Sequence, residues 1–272
     1  MILMGVVNLT PDSFRPETRA MSLEAARARV ADLVARGCSI IDFGAVSTRP
    51  GAADVPVEEE WRRLEPILGS LERGGIPSQD LRHPRLRGRG PSQMGGALSA
   101  PAVKAVGEGI PTLSVDTTSA EIVRRTYGLI GRFLVNDISA GEDDPAMLET
   151  VAELGLPYIA MHKRGNPRSM DALTDYPQGV VKAVDEYFEG FAEKAEALGI
   201  KDWILDPGFG FAKTAEQNWE LLENLPALRH FGRLILVGVA DKRFTHTPNP
   251  FGSCQNAEQL AAERGADILR IH

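Results

Sequence analysis

Two cysteines, Cys38 and Cys254, are all that the 272 residues contain. So few thiols, far apart and without ligand spacing, give neither a disulfide framework nor a zinc site, and they suit a reducing compartment. Excess positive charge is also missing. The net charge of −7 argues against an extended nucleic-acid surface, while leaving room for a local anion site. No run approaches the roughly 18 apolar residues of a membrane span. The apolar opening lacks a basic flank and reaches Asn8 too soon for a secretory leader. Together these absences give the expectation of a cytoplasmic protein with no nucleic-acid partner and no membrane.

What is present is a recurring design: a short apolar run that ends abruptly on a polar side chain. Met4-Gly5-Val6-Val7-Asn8 breaks into Leu9-Thr10-Pro11-Asp12-Ser13-Phe14, a buried strand running into a loop. Further strands are predicted at 39–44, 112–116, 132–137, 158–162, 203–208, 234–239 and 266–272. Helical spacing lies between them. Ser22 caps a helix over 23–36 that Gly37 stops, and another spans Glu58 to Leu71. Others are read at 120–127, 145–154, 179–198, 215–225 (stopped by Pro226) and 257–264.

Seven strand–helix alternations and an eighth strand without an eighth helix mean parallel βαβ units. In this length they predict a (β/α)8 TIM barrel as a single domain over 1–272. No Gly-x-Gly-x-x-Gly follows the first strand, which argues against a dinucleotide-binding sheet. The stretch from Arg73 to Gly109 is crowded with Gly, Pro, Arg and Ser and has little periodicity. It reads as a long irregular insertion between the second and third strands.

A barrel gathers its strand ends at one mouth. The residues there would be Asn8, Asp116, Asn136, His162, Asp206, Lys242, Arg270 and His272, with Thr48 and Arg49 on the second loop. Two carboxylates and an amide (Asp116, Asp206, Asn136) suit a flat heterocycle rich in N–H donors. Arg49, Lys242, Arg270 and His272 suit a phosphate or diphosphate. Asn8 offers an oxygen to Mg²⁺. Plainer alternatives stay open: Asp206-Pro207-Gly208 as a simple turn, His162 as a core histidine, Lys242-Arg243 as a solvated pair, and 270–272 as a frayed end.

The same segments carry a family resemblance that runs the length of the chain in order. They are 4–14, 40–52 (Ile40 to Ala52, with Ser47-Thr48-Arg49-Pro50-Gly51), Ser114 to Thr117, Val135 to Gly141, Met161 to Gly165, Ile204 to Thr214 and Gly265 to His272. The chain resembles the dihydropteroate synthases of folate synthesis, in the pterin-binding barrel superfamily. The resemblance implies a transferase that joins 4-aminobenzoate to a hydroxymethyl-dihydropterin diphosphate and releases pyrophosphate. It implies that Asp116, Asn136, Asp206 and Lys242 hold the pterin. Asn8, Arg49, Arg270 and His272 would hold the diphosphate, with Mg²⁺ near Asn8. It further implies that Lys242, Asp206 and Arg270 are catalytic, that the loops of Thr10 and Thr48 enclose the aminobenzoate, that sulfonamides target the site, and that the enzyme is a homodimer.

The chain departs from that pattern in four places. Ala240-Asp241-Lys242-Arg243 stands where the family has Ser-Arg-Lys-Ser, so Arg243 occupies the place of a serine and Asp241 that of a basic residue. Thr245 to Gln255 does not resemble a helix, no eighth helix follows His272, and the 73–109 insertion has no counterpart. The missing helix leads to the expectation of exposed apolar surface and weakens the dimer. Two other functions therefore compete with the synthase: a catalytically silent pterin-binding homologue, and a methyltetrahydrofolate:corrinoid methyltransferase sharing the pterin floor.

Overall fold

The computed structural model describes residues 1–10, 23–46, 54–74, 111–165, 169–252 and 254–272. The helix cap expected at Ser22, the loops after Thr10 and around Thr48 and Arg49, and positions 75–109 of the insertion lie outside the described residues.

Eight parallel strands form the sheet: β1 (Ile2–Asn8), β2 (Ile40–Gly44), β3 (Thr112–Asp116), β4 (Leu134–Asp137), β5 (Tyr158–Met161), β6 (Trp203–Asp206), β7 (Leu236–Val237) and β8 (Ile268–Ile271). Their order is β6-β5-β4-β3-β2-β1-β8-β7. A parallel bridge between Leu205 and Ile235 joins the two ends and closes the barrel, a TIM barrel as expected. Between the strands run α1 (Leu23–Ala35), α2 (Val57–Gly74), α3 (Ala120–Ile130), α4 (Met147–Leu154), α5 (Val180–Leu198), α6 (Ala215–Glu223) and α7 (Ala257–Glu263).

Helices α3 and α6 start on side-chain caps that the sequence supplies. Ser119 accepts from the Ile122 amide at the start of α3. Thr214 and Gln217 make a reciprocal capping box on α6. Three of the differences from the predicted boundaries have a clear physical reason. α2 continues through Pro66 to Gly74, so Arg73 belongs to the helix and not to the insertion. Its residues Leu64, Ile67 and Leu68 are buried in the core, and that packing outweighs the missing hydrogen bond of the proline. Pro226 does not stop helical structure. It sits at the start of a 3-10 helix, Leu225–Phe231, where its absent N–H costs nothing. The seventh strand shrinks from the predicted 234–239 to two residues, because β7 pairs fully only with β8.

Period-two alternation divides the strands between two cores. Val7, Ile41, Phe43, Val115, Val135, Leu205, Val237 and Leu269 face outward into one continuous cluster with the helices. Met4, Ile40, Leu134, Ile159, Ile204, Leu236 and Ile268 face inward and form a separate apolar plug. The apolar exposure expected without an eighth helix is confined, among the described residues near β8, to Met1 before β1 and Leu23 at the start of α1. The exposed large hydrophobics among the described residues are Met1, Leu23, Tyr127, Leu198 and Phe251, none of them on β8. Leu269 is buried in the cluster that also holds Val30 and Leu33 of α1 and Leu260 of α7.

Candidate active site

Two residues beyond the apolar plug, on the same inward face, the chemistry changes from apolar to polar. The inward positions become Asp42, Ser114, Asn136, Asp206 and Arg270, with Asn8 and Asp116 one further step along. The register pairs Asp42 with Ser114, and Asp116 with Asn136. Each is positioned by a rigid strand, so the mouth is built with little reliance on loops.

The groups interlock. Ser114 Oγ donates to Asp42 Oδ1 at 2.7 Å, and Asn136 Nδ2 donates to Asp42 Oδ2 at 3.0 Å. Asp206 Oδ1 accepts from the Gly208 amide at 2.9 Å, and its Oδ2 lies 3.6 Å from Arg270 Nη1. Two buried acceptors have no hydrogen-bond partner, Asn136 Oδ1 and Asp206 Oδ2. Asn8 Oδ1 and Asp116 Oδ2 border the same gap at the end of β2, each 3.6 Å from the point a side-chain carbon on Gly44 would occupy. Gly238 makes room for the cation: a Cβ there would lie 2.6 Å from Arg270 Nη2.

Lys242 completes the cationic side. Its Nζ sits over the Phe211 ring at 4.8 Å from the centroid. Burial pulls its pKa down to about 8, the Arg270 charge adds to that, and Asp206 opposes it. Burial also raises the Asp116 carboxyl well above its usual range, reinforced by Asp42 and opposed by Arg270. Asp42 is raised by burial as well, against the hydrogen bonds from Ser114 and Asn136 and the Arg270 charge.

Of the expected residues, Asn8, Asp116, Asn136, Asp206, Lys242 and Arg270 converge. Thr48 and Arg49 lie outside the described residues. His272 follows Arg270 by two, which keeps the inward parity, and its main-chain oxygen accepts from Arg36 Nη2 at 2.9 Å. The end of the chain is thus tied down and Arg270 belongs to the pocket, contrary to the frayed-end alternative. Lys242 and Arg243 are not an equivalent solvated pair, since Arg243 is exposed on a short 3-10 turn and Lys242 is turned toward Phe211.

His162 is the core histidine. Met161 takes the inward position of β5, so the next side chain points away. Its Nδ1 is 3.0 Å from Lys213 Nζ, and its ring packs edge-on against Tyr187 at 4.9 Å. Burial, then the charges of Lys213 and Arg164, hold it neutral by pushing its pKa well down. Lys213 also donates to the Gly208 and Phe211 carbonyls, which pins the loop after β6. Gly208 is required in that loop: φ is +70°, and a Cβ would fall 2.0 Å from the His162 carbonyl oxygen.

Asp42 and Lys213 were not among the residues expected from the sequence. A carboxylate inside the otherwise apolar run Ile40-Ile41-Asp42-Phe43 was a legible signal for the first. Lys213 carried no comparable signal.

The site can hold a flat ring whose edge donates to Asn136 and Asp206, with an anion against Arg270 and Lys242. Comparison with known proteins agrees with that chemistry. The family described as pterin binding enzyme matches residues 4–78 and 99–272. Dihydropteroate synthase of Synechocystis is 36% identical over 280 residues, covering 99% of this chain and 84% of that protein. The Escherichia coli K12 dihydropteroate synthase is 32% identical over 279 residues, covering 99% and 86%. The structure of the Xanthomonas albilineans dihydropteroate synthase with 4-aminobenzoic acid matches with a TM-score of 0.75 at 32% identity, covering 100% of this chain and 87% of that one. That of Yersinia pestis dihydropteroate synthase with a sulfonamide drug complex matches with a TM-score of 0.78 at 30% identity, covering 100% and 88%. Family, relatives and folded neighbours all span the strand ends that build the site, and the chain belongs to the pterin-binding enzymes, among the dihydropteroate synthases.

Proposed function

We propose that this chain catalyses the condensation of 6-hydroxymethyl-7,8-dihydropterin diphosphate with 4-aminobenzoate, giving 7,8-dihydropteroate and pyrophosphate. The observation that carries the reading is the pair of unpartnered buried acceptors, Asn136 Oδ1 and Asp206 Oδ2, set beside Arg270. Buried acceptors without partners are costly, and the N–H edge of a pterin supplies the missing donors. Asp116, Asn136, Asp206 and Lys242 hold the ring. Arg270 and His272, with Arg49 from the second loop, hold the diphosphate. By the family resemblance Thr48, which lies outside the described residues, would serve the aminobenzoate side.

The metal is part of the same proposal. Among the described residues no three carboxylate, histidine or cysteine side chains form a cage. A lone amide oxygen at Asn8 beside Asp116 fits Mg²⁺, which binds through one or two protein oxygens and otherwise through water and substrate phosphate. Bound there, Mg²⁺ would neutralise charge on the departing diphosphate.

The residues of the chain do the rest. The pterin is clamped, so that its methylene carbon faces the incoming amine, and water is displaced from the mouth. The arylamine nitrogen forms the new C–N bond with its lone pair, and the methylene C–O bond breaks with its electrons on the diphosphate. Arg270 and Lys242 stabilise that growing negative charge. The extra proton on nitrogen then passes to solvent. A neutral arylamine is already nucleophilic, so no Ser–His or Cys–His pair is needed.

Pyrophosphate release tests the proposal. The purified chain is given pterin diphosphate and Mg²⁺, with and without 4-aminobenzoate. Release that depends on 4-aminobenzoate and yields dihydropteroate is expected. Pterin binding without release would instead make this a silent homologue.

A further inference from the structure

We propose that Asp42 is a positioning residue that fixes which end of the Asn136 amide faces the ligand, and so makes that subsite accept only an N–H donor. The inference rests on the pterin reading above and deepens it.

The geometry spans three neighbouring strands. Asp42 lies on β2, Ser114 opposite it on β3, and Asn136 on β4. The Asp42 carboxylate reaches past Ser114 to Asn136, and a small residue on β3 leaves it the space. All three are buried: Asp42 is 2% exposed, Ser114 and Asn136 not at all. Asp42 takes one hydrogen bond on each oxygen, 2.7 Å from Ser114 Oγ and 3.0 Å from Asn136 Nδ2. A carboxylate accepts and does not donate. It therefore draws the NH2 of Asn136 to itself and turns Oδ1 the other way. Asn136 Oδ1 is left buried and unpartnered.

An amide without such a partner could flip and satisfy either a donor or an acceptor on a ligand. Locked by Asp42, it satisfies a donor only. A ring presenting a lone pair at this position would meet another lone pair and leave both groups unpaired. Asp42 itself touches no substrate. Its effect on the reaction passes through Asn136.

The experiment uses the full chain, calorimetric titration with pterin diphosphate and steady-state kinetics. Asp42→Asn offers Asn136 either a donor or an acceptor, so the amide is no longer locked. Affinity for pterin diphosphate should fall by about 10- to 100-fold, with KM for 4-aminobenzoate unchanged. Asn136→Asp sets two carboxylates against each other and should bind as weakly. The swap, Asp42→Asn with Asn136→Asp, lets position 42 donate to position 136 and leaves a carboxylate oxygen facing the ligand. It should restore affinity to within about threefold of wild type. Should Asp42→Asn alone fail to fold, the comparison of Asn136→Asp with the swap carries the same test. Wild-type affinity in Asp42→Asn, or a folded swap no better than Asn136→Asp, would overturn the proposal alone. A wild-type chain that binds no pterin diphosphate would overturn the functional reading along with it.

Discussion

Asn136 and Asp137 are neighbours on one strand, both fully buried, and they lead opposite lives. Asp137 accepts from the Ser139 amide and hydroxyl, the Gly141 amide and the Tyr158 hydroxyl, at 2.6–2.9 Å. Asn136 leaves its oxygen without a partner. The same contrast recurs across the molecule. Outside the barrel, His162 has Lys213 and Lys163 has Asp143 at 2.6 Å. Inside, Asp206 keeps one oxygen without a hydrogen-bond partner, 3.6 Å from Arg270 Nη1. Asp137 is saturated by the structure it holds, whereas Asn136 and Asp206, which face the axis, are held on one side and left without a hydrogen-bond partner on the other. Satisfaction, and not burial, separates Asn136 and Asp206 from Asp137 and His162.

The sharpest way to break that contrast is to exchange roles between the sets. Asp206→Asn keeps an oxygen for the Gly208 amide and replaces the open acceptor by a donor. Turnover should fall by about 10²- to 10³-fold, while the thermal midpoint moves less than in the next variant. Equal destabilisation by the two would erase the distinction. Asp137→Ala leaves two amides and the Tyr158 hydroxyl without their acceptor. It should cost about 3 kcal/mol of stability in denaturant titration, with the residual folded enzyme close to wild type in KM for both substrates. A large rise in KM with unchanged stability would place Asp137 in the wrong set.

The smallest effect is a pH dependence. Lys242, with a pKa pulled down to about 8, loses its charge as pH rises through that value. If that charge supports the departing diphosphate, kcat/KM should decline above pH 8, and Lys242→Arg, charged throughout, should carry activity to higher pH. Stability should respond with the opposite sign. Between pH 8 and the usual lysine value near 10.4 the unfolded chain holds the extra proton, so this lysine's contribution to unfolding free energy rises with pH. A flat kcat/KM profile from pH 7 to 9 would remove Lys242 from the charge-stabilising role.

Much of this was legible before folding, and the reasons are particular. Parallel strands buried on both faces read as apolar runs, so all eight were visible, and Asn8, Asp116, Asn136 and Asp206 could be placed at their ends. Asp42 has no turn beside it, and its one local signal was a carboxylate inside an apolar run. His162 stood at a strand end and still belongs to the core. The pleat decides that, and Met161 occupies the inward slot. Pro226 reads as a stop, yet it begins a 3-10 helix, while Pro66 is carried inside α2 by packing as the predicted helix required.

The order of strands and helices and the polar residues at the strand ends are properties of the amino-acid sequence itself. They depend on local periodicity and composition, which need no distant contact. Which polar groups became satisfied and which remained open was decided only in three dimensions. Asp42 meets Asn136 across 94 residues of chain, and Arg36 meets the His272 oxygen across 236. Those pairings exist only because closing the barrel brings strands together in one register, and no local pattern encodes that register.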